Sequence, residues 1–269
     1  MLFGLVVLAA GLPIASVSAA KSWPPNPYPA PKQVTSAREF AAERSGTVAF
    51  AVIDAEGGVR GLGEDDQFSS ASVSKALLLA AELRRLRDER EELDEETRSL
   101  LDGMIRFSDN DAASSVYARV GDEGMEAVAR AAGMDSFEVT PGYWGGAQVT
   151  AADLARFFFR LDQNLVGPHQ RYGKELFATI TESQRWGIPA AAGPAWQVYF
   201  KGGWRPAATE ETSGPVTHQA GLLRHRSGRT VAIAVLTDQS PGSSSYAILE
   251  GITERLLAEP PDPQHWPAG

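Results

Sequence analysis

Apolar residues fall along this chain in two rhythms that change over twice, and each stretch predicts a different kind of element. Residues 47–54 form a continuous apolar run of strand composition, 55–58 (Ala-Glu-Gly-Gly) a hairpin turn, and 59–62 its partner strand. From residue 72 the spacing becomes helical and predicts helices over 76–86, 96–107, 112–120, 124–132 and 151–161. Strand-like runs return at 196–203, 216–225 and 230–238, separated by turns rich in Gly, Pro and Ser, and 246–257 reads as a closing helix. Ahead of the first strand, Ser36 followed by Glu39 forms a capping-box pattern for a helix that Gly46 ends. Strands near both ends of the chain therefore build one sheet, and a helical lobe is inserted between them.

The chain's start has a different character. Residues 1–20 are almost wholly apolar and end in Val17-Ser18-Ala19-Ala20, small residues where a signal peptidase cuts, so the segment reads as a secretory signal peptide. An uncleaved N-terminal anchor is the alternative, although Gly11, Pro13 and the short run favour cleavage. Either way the expected location is extracytoplasmic. Residues 21–34 carry five prolines and read as an extended tether, 35–260 as the folded domain, and 261–269 as a tail.

Composition narrows the partners. At 269 residues with 43% hydrophobic residues and six Trp, the chain can bury a sizeable core as one large domain or two packed lobes. A net charge of −9 without a basic face argues against nucleic acid or an anionic membrane as the main partner. No cysteine is present, so disulfides and thiolate metal sites are excluded. His169, His218, His225 and His265 lack metal-ligand spacing, and no phosphate-cradling or dinucleotide loop occurs; no metal and no cofactor is expected.

The candidate chemistry begins at Ser72-Val73-Ser74-Lys75, at the head of the apolar run 76–81. In a helix, a three-residue offset stacks the Ser72 and Lys75 side chains on one face, a turn apart. A serine hydroxyl is a poor nucleophile at neutral pH until an adjacent base takes its proton, and a desolvated lysine is such a base. The bland reading is an N-cap serine followed by a surface lysine. Two further polar elements follow in order. Ser108-Asp109-Asn110 alone reads as a helix cap and turn, and Lys201-Gly202-Gly203 alone reads as an edge-strand lysine and a bulge.

Taken together, these motifs resemble the serine β-lactamases and penicillin-binding proteins, and most closely the class A β-lactamase-like serine hydrolases, whose signature is Ser-x-x-Lys with Ser-Asp-Asn and Lys-Thr-Gly. Met104-Ile105-Arg106-Phe107 resembles the helix entering the second motif, and Val149-Thr150-Ala151-Ala152-Asp153 the Thr-capped helix after that family's active-site loop. The resemblance spans nearly all of the chain after the tether. It implies an α/β (α+β) fold with an antiparallel sheet flanked by helices, a sheet lobe over 35–71 and 190–260, and an all-helical lobe over 72–189. It implies that Ser72 is the nucleophile, Lys75 its base, and Ser108 a proton shuttle to the leaving nitrogen. It further implies that Asn110 addresses the substrate's acyl side chain and fixes Lys75, and that Lys201 supplies positive charge near Ser108 and the substrate carboxylate. The backbone N–H groups of Ser72 and Trp204 would form the oxyanion hole, with Gly203 beside them.

Three departures qualify the resemblance, one being that Ser72 and Ser108 lie closer together than in the β-lactamases, which implies a trimmed helical lobe and a more open pocket. Gly202 stands where the family has a carboxylate-binding Thr or Ser, which leaves Thr209, Thr212, Ser213, His218 or Arg224 to take that part. The loop 135–148 lacks the Glu-x-x-x-Asn pattern whose Glu positions the deacylating water; Glu138 is the one carboxylate deep within it. Tyr143 and Trp144 in that loop suit either a substrate cleft or the core. The expected activity is an exported serine hydrolase working through an acyl-serine on an amide or ester such as a β-lactam or cell-wall peptide. A true class A-like β-lactamase and a catalytically degenerate member that only binds are the alternatives.

Overall fold

The computed structural model describes residues 27–209, 212 and 214–259. The proposed signal peptide, residues 21–26 of the tether, the tail and Ser213 lie outside the described residues.

Five antiparallel strands make the main sheet in the order β2-β1-β7-β6-β5. β1 (Val48–Asp54) pairs with β2 (Arg60–Leu62) across the turn at 55–58, and with β7 (Thr230–Thr237); β6 (Val216–His225) joins β7 to the edge strand β5 (Trp196–Arg205). Every position of β1 is buried, so both faces of the sheet are covered, which is why this strand is uniformly apolar rather than alternating. Helices α1 (Pro31–Ala42) and α9 (Ser243–Leu256) pack on one another and on the sheet, and α5 (Ala151–Phe159) packs across β1, β7 and β6. A short pair, β3 (Phe68–Ser69) with β4 (Gln148–Val149), ties the chain entering the helical lobe to the chain leaving the loop at 135–148.

Between β3 and β5 the chain forms the helical lobe. It contains α2 (Lys75–Glu89), α3 (Glu95–Arg106), α4 (Asn110–Ala132), α6 (Leu161–Asn164), α7 (Gln170–Ala178) and α8 (Ile188–Ala192). α2 runs through its centre against α3, α4 and α7, and Leu77, Leu78, Leu79, Leu83 and Leu86 are all buried. Truncating any of these leucines to Ala costs about 2–5 kcal/mol, because the close-packed surroundings refill a cavity only in part.

The first helix departs from expectation. α1 starts at Pro31, inside the segment read as a tether, and Ser36 lies within it rather than capping it. Pro at the first helical position costs nothing, since its missing N–H would have no helical partner there. Gln33 Oε1 accepts from Ala30 N at 2.7 Å and closes the helix start. The residues just before are docked too: Tyr28 is buried, its N–H donates to Asp54 Oδ2 at 2.6 Å, and its ring stacks on Trp196. The two helices expected at 112–120 and 124–132 are both present within α4, which breaks between them at Gly121, where φ is 61° and ψ −172°.

Candidate active site

Ser72 lies on a 3₁₀ turn, Ala71–Ser74, whose direct continuation is α2, so Lys75 begins the helix that Ser72 precedes. The turn is entered through Ala71 at a φ of 46°, and Ser108 also has a left-handed φ, 61°. For a residue other than glycine, such backbone costs about 1–3 kcal/mol and persists where surrounding structure enforces it, a pattern concentrated at functional sites. Ser74 is structural: its buried Oγ donates to Ala71 O at 2.7 Å.

Lys75 is fully buried and its amine is held from the second motif. Nζ donates to Ser108 O at 2.6 Å and Asn110 Oδ1 at 2.7 Å, and lies 3.3 Å from Ser108 Oγ. Asp109 caps α4 by accepting from Ala112 N at 2.8 Å, so the cap reading and the functional reading of this motif are both realised, on neighbouring residues. The cap fixes Asn110 as the first residue of α4, at the mouth of the site.

The third motif approaches from the opposite side on β5. Lys201 Nζ donates to Ser108 Oγ at 3.1 Å and to Gly202 O at 2.8 Å, so the Ser108 hydroxyl stands between two lysine amines. Gly203 explains the close approach of strand to nucleophile: a Cβ there would sit 2.6 Å from Val73 N, 2.9 Å from Ser72 N and 3.0 Å from Ser70 O. Only glycine lets β5 run against this turn. The implied oxyanion donors, Ser72 N–H and Trp204 N–H, belong to the two segments that Gly203 brings together.

Burial sets the protonation of both amines. It pushes the Lys75 ammonium down to about 7, with Asp109 opposing, so near neutrality much of it is the free amine that a general base must be. Lys201 is pushed well below the usual lysine range, first by burial and then by the charge of Lys75. Burial thus works against the fixed positive charge that the resemblance implies for Lys201. It suits the amine instead to hold the Ser108 hydroxyl. Among the described residues no hydrogen bond joins Ser72 Oγ to Lys75 Nζ; Ser72 is half-buried and opens into a cleft.

That cleft, about 240 Å³, is lined by Ser72, Asn110, Tyr143, Trp144, Trp204 and Arg205, among others. Tyr143 and Trp144 therefore both line the cleft, and Trp144 also packs against the core. Trp204 meets Trp186 edge to face, and Trp186 stacks on Tyr246 with centroids 4.3 Å apart. Of the residues named for carboxylate recognition, Thr209 reaches the cleft and pairs its hydroxyl with that of Thr212 at 2.7 Å. His218 and Arg224 do not take part. His218 is buried against Ser69 O, and burial lowers it to about 4. Arg224 pairs with Asp162. Glu138 is exposed, bridges Gln148 through its backbone and does not line the Ser72 cleft.

Arg205 lines the cleft and was not singled out from the sequence. Its Nη1 donates to Ser69 Oγ at 3.2 Å and its Nε to Gly214 O at 3.1 Å. The signal was available, because Lys201, Gly203 and Arg205 share one face of β5 at the two-residue period of a strand. Among the described residues no cluster of His, Asp and Glu could hold a metal ion, and no helix is long and apolar enough to cross a membrane.

Comparison with known proteins agrees with this geometry. The structure of PBP-A superposes with a TM-score of 0.70 at 16% identity, covering 84% of this chain and 94% of that one. A β-lactamase from Sphaerobacter thermophilus gives 0.71 at 18% identity over 85% and 98% of the two chains. A class A representative from Bacteroides cellulosilyticus gives 0.74 at 16% over 87% and 98%. Identities this low establish the fold alone. No curated protein matches the chain. The sequence model of the beta-lactamase enzyme family matches residues 96–259, a stretch that holds Ser108, Asn110 and Lys201. With the fold, the three motifs and this match in agreement, the chain belongs to the beta-lactamase enzyme family.

Proposed function

We propose that the protein is an exported serine hydrolase that acylates Ser72 with an amide or ester, a β-lactam or cell-wall peptide being the leading class, and that it releases the acyl group slowly. The observation that carries this reading is the buried Lys75 amine, one turn on from Ser72, lowered to about 7 and anchored on Ser108 O and Asn110 Oδ1. In acylation, Ser72 Oγ attacks the carbonyl carbon as its proton passes to Lys75. The negative oxygen then faces the N–H groups of Ser72 and Trp204, where each such donor is worth about 3–4 kcal/mol in the transition state. The proton returns through Ser108 to the leaving nitrogen, and the C–N bond breaks. Where the substrate carries a carboxylate, Arg205 and Thr209 at the cleft replace the hydroxyl missing at Gly202.

Slow release follows from the loop 135–148. Neither Glu138 nor Asp135 lines the Ser72 cleft, so no carboxylate of that loop activates water at the ester. This is penicillin-binding behaviour rather than that of an efficient β-lactamase. Intact-protein mass spectrometry after incubation with a penicillin, and separately with an activated ester, tests the reading. The expected result is one added acyl group on Ser72, lost in Ser72→Ala. A folded protein that takes up neither reagent would leave only the binding-module alternative.

A further inference from the structure

The loop that brings no carboxylate to Ser72 brings an indole. Trp144 lines the Ser72 cleft, and the Lys75 amine lies over its ring, 4.8 Å from the centroid. The ring is held there from several directions. Its Nε1 donates to Ser114 Oγ on α4 at 3.3 Å, and Tyr143 packs beside it. The backbone that follows is shaped for this seating: a Cβ on Gly145 would come within 3.0 Å of Tyr143 Oη, and one on Gly146 within 2.7 Å of the Tyr143 ring. The loop is also tied to the segment that carries the nucleophile. Ser70 N donates to Ala147 O at 2.7 Å, and Ser69 Oγ to Gly145 O at 3.4 Å. Trp144 is therefore fixed relative to Ser72.

We propose, resting on the acyl-Ser72 reading above, that Trp144 is a positioning residue that covers the Lys75 side of the acyl-Ser72 ester, shuts out water there and so holds the acyl-enzyme. Four groups surround the Lys75 amine: Ser108 and Asn110 at the head of α4, Lys201 on β5, and the Trp144 ring. The first three are polar, yet Lys75 remains fully buried. Asp109, which caps α4, is the carboxylate that acts on Lys75 electrostatically, and it opposes the burial. The hydrolytic step needs no added reagent. Water adds to the ester carbonyl while its proton passes to the neutral Lys75 amine. The acyl–Oγ bond then breaks, Ser72 Oγ takes the proton back from Lys75, and a carboxylic acid leaves. What the wild-type site lacks is a place for that water within reach of Lys75.

The test is the lifetime of the Ser72 adduct, read by intact-protein mass spectrometry after a penicillin or activated-ester pulse, in wild type, Trp144→Ala and Trp144→Phe. Admitting water next to a positioned base is expected to shorten the lifetime about tenfold or more in Trp144→Ala, short of the roughly 10²–10⁴-fold that a fully optimised general base supplies. That hydrolysis should accelerate with pH as Lys75 loses its proton; a merely loosened fold would not follow the lysine's titration. Trp144→Phe, which restores an apolar ring, should recover the long lifetime. Should the Ala variant fail to fold, Trp144→Gln, which fills part of the space without an apolar ring, carries the same expectation. An adduct that forms normally but is shortened less than about fivefold, below the smallest general-base effect, overturns the role of Trp144 and leaves the acylation reading intact. A wild-type protein that forms no adduct with either reagent overturns both.

Discussion

Two halves of the same cleft are built to different standards. On one side, Ser72, Lys75, Ser108, Asn110 and Lys201 converge from a 3₁₀ turn, a helix start and a strand, the last four joined by hydrogen bonds of 2.6–3.3 Å, with strained backbone at Ala71 and Ser108. On the other, the loop 135–148 brings Tyr143 and Trp144 to the cleft and leaves its deep carboxylate, Glu138, exposed elsewhere. In the proposed function the first half makes the acyl-serine, and the second brings no carboxylate to the cleft to break it. On that reading, acylation and release are separable properties, set by different segments of chain.

Removing the nucleophile or base is the severest way to break the comparison. Ser72→Ala and Lys75→Ala should each lower acylation by about 10³-fold or more, since residues that act as a unit fail together; rates of labelling by a fluorescent penicillin check this. Next comes Gly203→Ala. The atoms its Cβ meets at 2.6–3.0 Å are backbone, so strand and turn must separate, and acylation should fall about 10²-fold as the oxyanion donors lose register.

The pH dependence sharpens the contrast further. Lys75 must be neutral to accept the Ser72 proton, and burial places its titration at about 7. The acylation rate should therefore climb about tenfold per unit below that pH and level off above it. A limb that kept climbing towards pH 10 would show an ordinary, solvated lysine. A smaller effect is expected at position 202. A Cβ there meets Gln219 and Trp186 no closer than 3.5 Å, so Gly202→Thr fits, and its hydroxyl should tighten binding of carboxylate-bearing substrates about three- to tenfold, read as KM. Glu138→Gln should have the least effect, leaving the acyl-enzyme lifetime within about twofold, as for a surface change far from the chemistry.

The regular elements were visible in the sequence because their periodicity is strong. β6 falls on the span its apolar run predicts, and β1, β5, β7, α2, α3 and α5 within a few residues of theirs. α1 was misplaced because proline density outweighs the fact that Pro31 is welcome at a helix start. The short helices α6, α7 and α8 lack the length that makes a 3.6-residue period readable. At the site, the three motifs announced the residues that meet at Ser108. Arg205 was hidden in plain alternation along β5, and the place of Trp144 over Lys75 depends on contacts between segments distant in the chain. No local pattern encodes such contacts.

The central claim, that this serine is readily acylated and slowly freed, is tested most directly by the pre-steady-state time course of a chromogenic cephalosporin mixed with excess over enzyme. A burst of one chromophore per Ser72, followed by a steady rate at least about 10²-fold slower, is the predicted result. Linear turnover from the first instant, with no burst and no accumulated adduct, or no chromophore release at all, would contradict it.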